Sequence, residues 1–168
     1  MLAAPRPGPL PLHSLIEAMM PLLAKDPQTA GVRVESQVED VALWADSEMI
    51  KPVLLNVLIN GAQAMGGHGC IRIGSRCSAG ICELSVTDTG PGIAPELRDR
   101  VFEPFFTTKH RGTGLGLSIA RRVMEAHGGG IRLECPEQGG TTVTLSLPLH
   151  RVAGDRRDAG GDASTPSG

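Results

Sequence analysis

Hydrophobic positions recur with two different periods along the chain, and the order of these periods predicts the order of helices and strands. Spacings of three and four predict helices over residues 12–24, 46–65 and 115–127. Alternation of apolar and polar residues predicts strands over residues 32–38, 70–77, 81–87, 131–135 and 141–149. The predicted fold class is α+β, with helices on one face of a mixed, mostly antiparallel sheet.

Glycine and proline interrupt the predicted helices and strands. Residues 88–113 are rich in Gly, Pro and Thr, and they predict one long loop with a short helix at 95–101. A loop of this length inside a compact domain usually serves function. Pro21 and Pro52 fall inside the first and second predicted helices, where proline removes a hydrogen bond. The pattern therefore does not determine the residue at which the first helix ends or the residue at which the second begins.

The two ends of the chain lack both periods. Residues 1–11 are rich in Pro and predict a disordered linker. Residues 150–168 have balanced charge and almost no apolar content, and they predict a disordered tail. One domain is expected between them, over residues 12–149.

Composition narrows the classes of partner. The chain has 168 residues, of which 40% are hydrophobic, and a net charge of −2. This net charge lacks the basic excess that is typical of nucleic-acid-binding proteins, so nucleic acid is not an expected partner. No apolar run approaches the roughly 18–20 residues of a membrane span, and the N-terminus does not read as a signal peptide. A cytoplasmic location and no membrane contact are expected.

The four cysteines do not predict a metal or redox site. Cys70, Cys77, Cys82 and Cys135 contain no C-x-x-C spacing. Reduced structural thiols are expected, as in most cytosolic proteins.

The second predicted helix carries two asparagines on one face. Asn56 and Asn60 in VLLNVLINGAQAM are four residues apart, so their side chains lie on the same side, opposite the apolar stripe. A neutral amide oxygen is a reasonable ligand for Mg²⁺. Taken alone, two solvated surface asparagines remain the simpler interpretation.

A carboxylate follows the strand at 81–87. In VTDTGPGI, Asp88 precedes Gly90 and Gly92, whose missing side chains let the backbone approach a ligand closely. Asp88 would accept a hydrogen bond from the exocyclic amino group of a purine, which discriminates adenine from guanine. A surface turn with a capping aspartate is the structural alternative.

A glycine-rich segment opens the third predicted helix. GTGLGLSIA (112–120) offers free N–H groups and the positive end of the helix dipole to a phosphate. No β-α-β unit surrounds it and no Gly-Lys-Ser/Thr is present, which excludes a dinucleotide fold and a P-loop. Just before it, VFEPFFTTK (101–109) supplies adjacent phenylalanines that anchor a lid and a lysine within reach of phosphate.

These four segments, in this order and spacing, resemble the N, G1, F and G2 boxes of the sensor histidine kinases. These kinases belong to a wider ATPase superfamily that includes DNA gyrase B and MutL. The resemblance extends over residues 12–149, and FEPFFTTK followed by GTGLGLSIA is similar to the nitrogen-regulation type. It implies a two-layer α/β sandwich, the Bergerat ATP-binding fold, with ATP and Mg²⁺ as ligands.

The resemblance also implies individual roles. Asn60 matches the family's Mg²⁺ ligand, and Asn56 matches a second asparagine near the phosphates. Asp88 matches the adenine-reading aspartate, with Gly90 and Gly92 shaping the pocket.

Further contacts follow from the same resemblance. Thr141 matches a strand threonine that helps fix adenine through water, with Thr142 as the alternative, and residues 94–113 match a mobile ATP lid. The expected phosphate contacts are Lys109 and the backbone of Gly112, Thr113, Gly114, Leu115, Gly116 and Leu117.

One substitution separates a kinase from a hydrolase. In the gyrase and MutL relatives, a glutamate that activates water stands four residues before the metal-binding asparagine. Here that position is Asn56, and an amide cannot act as a general base near neutral pH. We therefore expect a pocket that holds ATP for another acceptor.

The acceptor is missing from the chain. The family's phospho-accepting motif is a histidine followed by Glu or Asp and then by Arg or Asn-Pro, and none of the five histidines matches it. No residue is therefore assigned as catalytic. The expected partners are a phosphoacceptor histidine on a helical hairpin, in the same full-length protein or in trans, and a response regulator. A slow ATPase and a nucleotide-sensing binding module are the alternatives.

Overall fold

The computed structural model describes residues 3–104 and 116–150. The strands are β1 (Gly8–Pro11), β2 (Val32–Gln37), β3 (Ala42–Ala45), β4 (Gly69–Ser78), β5 (Ile81–Thr87), β6 (Gly130–Glu134) and β7 (Thr142–Pro148). The helices are α1 (Leu12–Lys25), α2 (Ser47–Ala64) and α3 (Gly116–Ala126), with 3₁₀ turns at Pro95–Leu97 and Arg100–Phe102.

The main sheet has five strands in the order β2-β4-β5-β7-β6. β2 pairs in parallel with β4, and every other pairing in this sheet is antiparallel. The predicted mixed, mostly antiparallel sheet is therefore confirmed. Ala79 and Gly80 join β4 to β5 with positive φ angles of 53° and 78°, which is the backbone of a tight hairpin turn.

The helices form a second layer on one face of this sheet. Alternate residues of β4 and β5 are buried against α2, including Ile71, Ile73, Leu84 and Val86. Their neighbours on the strands lie on the opposite, polar face. The alternation places the hydrophobic core between one sheet face and the helices, as the sequence predicts.

Neither proline ends its helix. α1 continues past Pro21 to Lys25, and α2 begins at Ser47 and continues through Pro52. Buried side chains flank each proline, such as Met19 and Leu23 in α1. Burial of these side chains compensates for the missing backbone hydrogen bond, so the pattern of apolar positions prevails.

The prediction of a disordered linker over residues 1–11 is wrong for Gly8–Pro11. This segment is β1, which pairs antiparallel with β3, a strand that the sequence pattern did not predict. Proline has no backbone N–H, and an edge strand tolerates it because one side of the strand pairs with no other strand. Leu10 is buried in the core, which holds β1 in place.

The predicted tail also begins one residue too early. His150 donates its backbone N–H to the Ala42 carbonyl at 2.8 Å, and its ring stacks on Trp44 with 5.3 Å between centroids. Residues 151–168 lie outside the described part of the chain.

Asp46 joins three elements at the start of α2. Its carboxylate accepts the backbone N–H groups of Arg6 at 2.9 Å and Glu48 at 3.1 Å, and the second of these bonds caps α2. The hydrogen bond from Arg6 is the main cause that lowers the pKa of Asp46. The Asp46 N–H donates to Nε2 of His127 at 3.1 Å, and Nδ1 of His127 pairs with the Val123 carbonyl at 2.7 Å. The N-terminal arm, α2 and α3 are thereby fixed to one another.

Candidate functional site

Asp88 lies where β5 ends, and its side chain is held by backbone donors. Only 7% of the residue is exposed. Its Oδ1 accepts the N–H of Gly90 at 2.9 Å and the N–H of Thr141 at 3.3 Å. The Asp88 N–H donates in turn to the Thr141 carbonyl at 2.9 Å. A buried carboxylate is therefore fixed in one orientation between the end of β5 and the start of β7.

Two glycines let these backbones come together. Gly92 and Gly140 have φ angles of 80° and 84°, a conformation that other residues adopt at a cost. A Cβ on Gly140 would lie 2.2 Å from the carbonyl oxygen of Asp88, and a Cβ on Gly92 would lie 3.1 Å from the carbonyl oxygen of Gly140. The loop after Asp88 and the turn before β7 thus meet through their main chains.

Gly90 packs against the end of α2. A Cβ there would lie 3.1 Å from the Ala64 carbonyl oxygen and 3.1 Å from Oδ1 of Asp88. Gly90 and Gly92 therefore let protein backbone approach protein backbone. This packing explains both glycines without a ligand, and their role in shaping a nucleotide pocket stays a prediction.

Gly140 is a site residue that the sequence reasoning missed. It belongs to the pair Gly139-Gly140 directly before β7. Two consecutive glycines ahead of a buried strand were the available signal, because such a pair indicates a turn with positive φ angles.

α2 connects the Asp88 region to the start of α3. A Cβ on Gly61 would lie 3.6 Å from Oδ2 of Asp88, whereas a Cβ on Gly116 would lie 2.6 Å from both side-chain heteroatoms of Asn56. Gly61 and Asn56 are five residues apart, or about 7.5 Å along the helix axis. Asn60 lies between them on the same helix and is half-buried.

The nitrogen of the Asn56 side-chain amide is buried. Among the described residues, its Nδ2 has no hydrogen-bond acceptor. Leaving a buried donor unpaired costs about 1–3 kcal/mol, so such a group usually indicates a ligand, ion or water. Asn56 faces Gly116, the first described residue of α3.

The structure distinguishes the two threonines that the sequence left open. Thr141 is 5% exposed and contacts Asp88 through its backbone. Thr142 points to the other face of the sheet, where its hydroxyl pairs with that of Thr87 at 2.9 Å. Thr141 is therefore the threonine that lies beside the carboxylate.

Part of the predicted site falls outside the described residues, namely Lys109, Gly112, Thr113, Gly114 and Leu115. Leu117 is half-buried in the first turn of α3. Within residues 3–104 and 116–150, no cluster of three His, Cys, Asp or Glu side chains could hold a metal ion. No described helix is long and apolar enough to cross a membrane.

Comparisons with known proteins identify the family of the chain. A family profile described as histidine kinase-, DNA gyrase B-, and HSP90-like ATPase matches residues 45–151, which is more than half of the chain. The chain belongs to this ATPase family. Membership implies that the domain binds ATP, and the match includes Asn56, Asn60, Asp88, Gly140 and Thr141.

Individual relatives narrow the assignment to the kinase branch of the family. Sensor histidine kinase ZraS of Escherichia coli (strain K12) is 38% identical over 141 residues, covering 83% of this chain and 30% of ZraS. The solved catalytic domain of histidine kinase ThkA superposes with a TM-score of 0.77 at 35% identity, covering 85% of this chain and 95% of that domain. This chain is therefore a histidine kinase catalytic domain by family, and it spans less than a third of ZraS.

A second solved structure contains a nucleotide analogue. Full-length ShkA in complex with AMPPNP superposes with a TM-score of 0.77 at 27% identity, over 89% of this chain and 33% of that one. ThkA has also been solved in complex with the response regulator protein TrrA, and this chain covers 42% of that kinase chain with a TM-score of 0.74 at 32% identity.

The close approach at Gly140 generates a stability prediction. Alanine at Gly139 or Gly140 must adopt a left-handed backbone, which costs roughly 1–2 kcal/mol in either case. A Cβ on Gly139 meets no atom within 4 Å, so Gly139→Ala is a matched control. We expect Gly140→Ala to lower the free energy of unfolding by a further 1–3 kcal/mol, roughly, because the Asp88 backbone must shift. Urea unfolding measures both variants, and equal losses would contradict the described junction.

Proposed function

We propose that this domain binds Mg·ATP and donates the γ-phosphate to a histidine on a separate helical hairpin, as the first step of two-component signal transduction. The observation that carries the proposal is the fixed, buried carboxylate of Asp88 at the C-terminal end of α2, together with the buried Nδ2 of Asn56 in the middle of the same helix, for which the described residues provide no acceptor. These two features suit the two ends of an adenine nucleotide.

Asp88 supplies base selection in this proposal. Adenine presents an amino group as a hydrogen-bond donor where guanine presents a carbonyl acceptor. A carboxylate accepts and cannot donate, so Asp88 favours adenine and leaves guanine with two facing acceptors. Because Gly90 and Thr141 hold the carboxylate, the site is preorganised and binding does not have to order it.

Asn56 and Asn60 supply the phosphate end. The buried Nδ2 of Asn56 at the start of α3 fits a phosphate oxygen as its missing acceptor. The Asn60 amide oxygen, one turn further along α2, is a suitable ligand for Mg²⁺. Water and phosphate oxygens would be the other ligands of the ion. When bound, Mg²⁺ neutralises the charge on the phosphates. Lys109 and the backbone of residues 112–117 complete the proposed contacts.

The same residues oppose rapid hydrolysis. An amide at position 56 cannot take a proton from water, and phosphoryl transfer depends mainly on positioning and charge stabilisation. We therefore propose that the acceptor is a histidine brought by another domain. A response regulator is the proposed downstream partner, consistent with the ThkA–TrrA complex. Reduced cysteines fit a cytoplasmic location.

A slow ATPase or a nucleotide sensor without phosphotransfer is the alternative function. ATP turnover above roughly 1 s⁻¹ without any acceptor, within the usual range for enzymes, would favour the ATPase.

The adenine role of Asp88 predicts a loss of nucleotide stabilisation. ADP at one hundred times its Kd should stabilise the wild-type domain by about 2.7 kcal/mol, or about 5–10 °C in melting temperature. We expect this shift to disappear in Asp88→Asn. In either orientation of the new side chain, its NH₂ group would face other donors, either the amino group of adenine or the N–H groups of Gly90 and Thr141. Thermal unfolding with and without ADP measures it. Asp40→Asn, an exposed carboxamide control, should keep the full shift, and an equal shift in Asp88→Asn would reject the assignment.

The metal role of Asn60 predicts a loss of Mg²⁺ dependence. In the wild type, Mg²⁺ should tighten ATP binding, because the Asn60 amide oxygen would be a ligand for the ion that accompanies the phosphates. We expect Asn60→Ala to lose most of that enhancement while it retains metal-free binding. Titration calorimetry with and without Mg²⁺ measures the difference. Gln63→Ala removes an exposed amide from the same helix and should behave as wild type. Unchanged Mg²⁺ dependence in Asn60→Ala would refute the metal role.

A further inference from the structure

Two sulfur atoms contact opposite ends of the loop that follows Asp88. We name residues 89–93 the adenine loop. At its start, Sδ of Met65 accepts the backbone N–H of Thr89 at 3.3 Å and the hydroxyl of Thr89 at 3.1 Å. Met65 is the residue that caps the C-terminus of α2. The helix that carries both asparagines is thus joined to the loop through a thioether.

The second sulfur belongs to Cys135, just after β6. Its Sγ accepts the backbone N–H of Ile93 at 3.4 Å and lies 3.9 Å from the hydroxyl of Thr141. The thiol therefore touches both the end of the adenine loop and the threonine whose backbone holds Asp88.

The packing around both sulfurs leaves room for these contacts. A Cβ on Gly69, whose φ is 133°, would lie 2.7 Å from Sδ of Met65 and 3.0 Å from Oγ1 of Thr89. A Cβ on Gly92 would lie 3.8 Å from Sγ of Cys135, an ordinary contact distance. Gly69 thus leaves room for the first sulfur beside Thr89, and the second sulfur borders the loop directly.

We propose that Met65 and Cys135 are positioning residues for adenine binding, which act by holding the two ends of the adenine loop. This inference rests on the proposed function of Asp88. The N–H of Gly90 donates to Asp88, while those of Thr89 and Ile93 donate to sulfur. The orientation of the carboxylate and the path of the loop are therefore set by the same short segment, and the sulfurs determine where that segment begins and ends.

Sulfur is a weak acceptor, so the expected effects are moderate. Met65→Leu keeps the volume and the apolar packing but offers no acceptor, and such swaps are usually well tolerated. We expect it to weaken ADP binding by roughly three- to tenfold, in keeping with one lost hydrogen bond. Met65→Gln, which restores an acceptor, should recover part of the loss. Cys135→Ala should weaken binding similarly, and Cys135→Ser should recover it.

A double substitution tests whether Met65 acts through Thr89. Thr89→Val removes the hydroxyl that donates to Sδ. If the thioether works through this contact, Thr89→Val should weaken ADP binding in the wild type and have a smaller effect in Met65→Leu. Additive effects would overturn the assigned route.

Amide hydrogen exchange without nucleotide provides the second readout. The Thr89 amide should exchange faster in Met65→Leu, and the Ile93 amide should exchange faster in Cys135→Ala. Met19→Leu in the core and Cys77→Ser on β4 are matched controls that should change neither amide exchange nor the ADP Kd.

The two readouts separate the inference from the function on which it rests. Faster exchange together with weaker ADP binding supports the positioning role. If the wild type binds ADP and both Met65→Leu and Cys135→Ala bind it with the same Kd as the wild type, the positioning role is overturned, whatever the exchange rates. Failure of the wild type itself to bind ADP instead refutes the proposed function, and the positioning role with it.

Discussion

The structure depends on a backbone junction between the end of β5 and the start of β7. Asp88 and Thr141 exchange hydrogen bonds there, and Gly140 lets the two main chains approach to a distance that a side chain would forbid. The junction buries a carboxylate next to hydrogen-bond donors, which offsets the cost of removing its charge from water. A negative acceptor is thereby presented at a fixed point beside α2, and the remaining parts of the site are arranged around it.

α2 links this acceptor to the phosphate end of the proposed site. The helix contacts Asp88 near Gly61 and the first turn of α3 at Asn56. A rigid helix keeps these two points at a constant separation, so in the proposed function it couples selection of the base to contact with the phosphates. In the same proposal, the amide of Asn56 orients a phosphate and cannot activate water, so the domain holds its nucleotide for an acceptor on another domain.

Local patterns predicted much of this arrangement. The alternation of apolar residues predicted β4, β5 and β7 and the face on which the helices pack, and the aspartate followed by glycines marked the Asp88 loop. Contacts between distant segments were not predictable in the same way. Thr141 lies 53 residues from Asp88, and its backbone contact with that carboxylate emerges only when β5 and β7 are paired. Gly8–Pro11 has the composition of a linker, yet pairing with β3 makes it a strand. Met65 and Cys135 resemble ordinary core residues in the sequence, and only the structure brings their sulfurs to backbone donors.

The central claim is that the buried carboxylate at position 88 selects an adenine nucleotide, and the most direct test compares two nucleotides that differ in the base. Calorimetric titration of the wild-type domain with Mg·ADP and Mg·GDP under identical conditions gives both affinities. The account predicts that ADP binds at least about a hundredfold more tightly than GDP, because the site leaves the guanine carbonyl facing a second acceptor. Equal affinities for the two nucleotides, or no detectable binding of ADP, would contradict it.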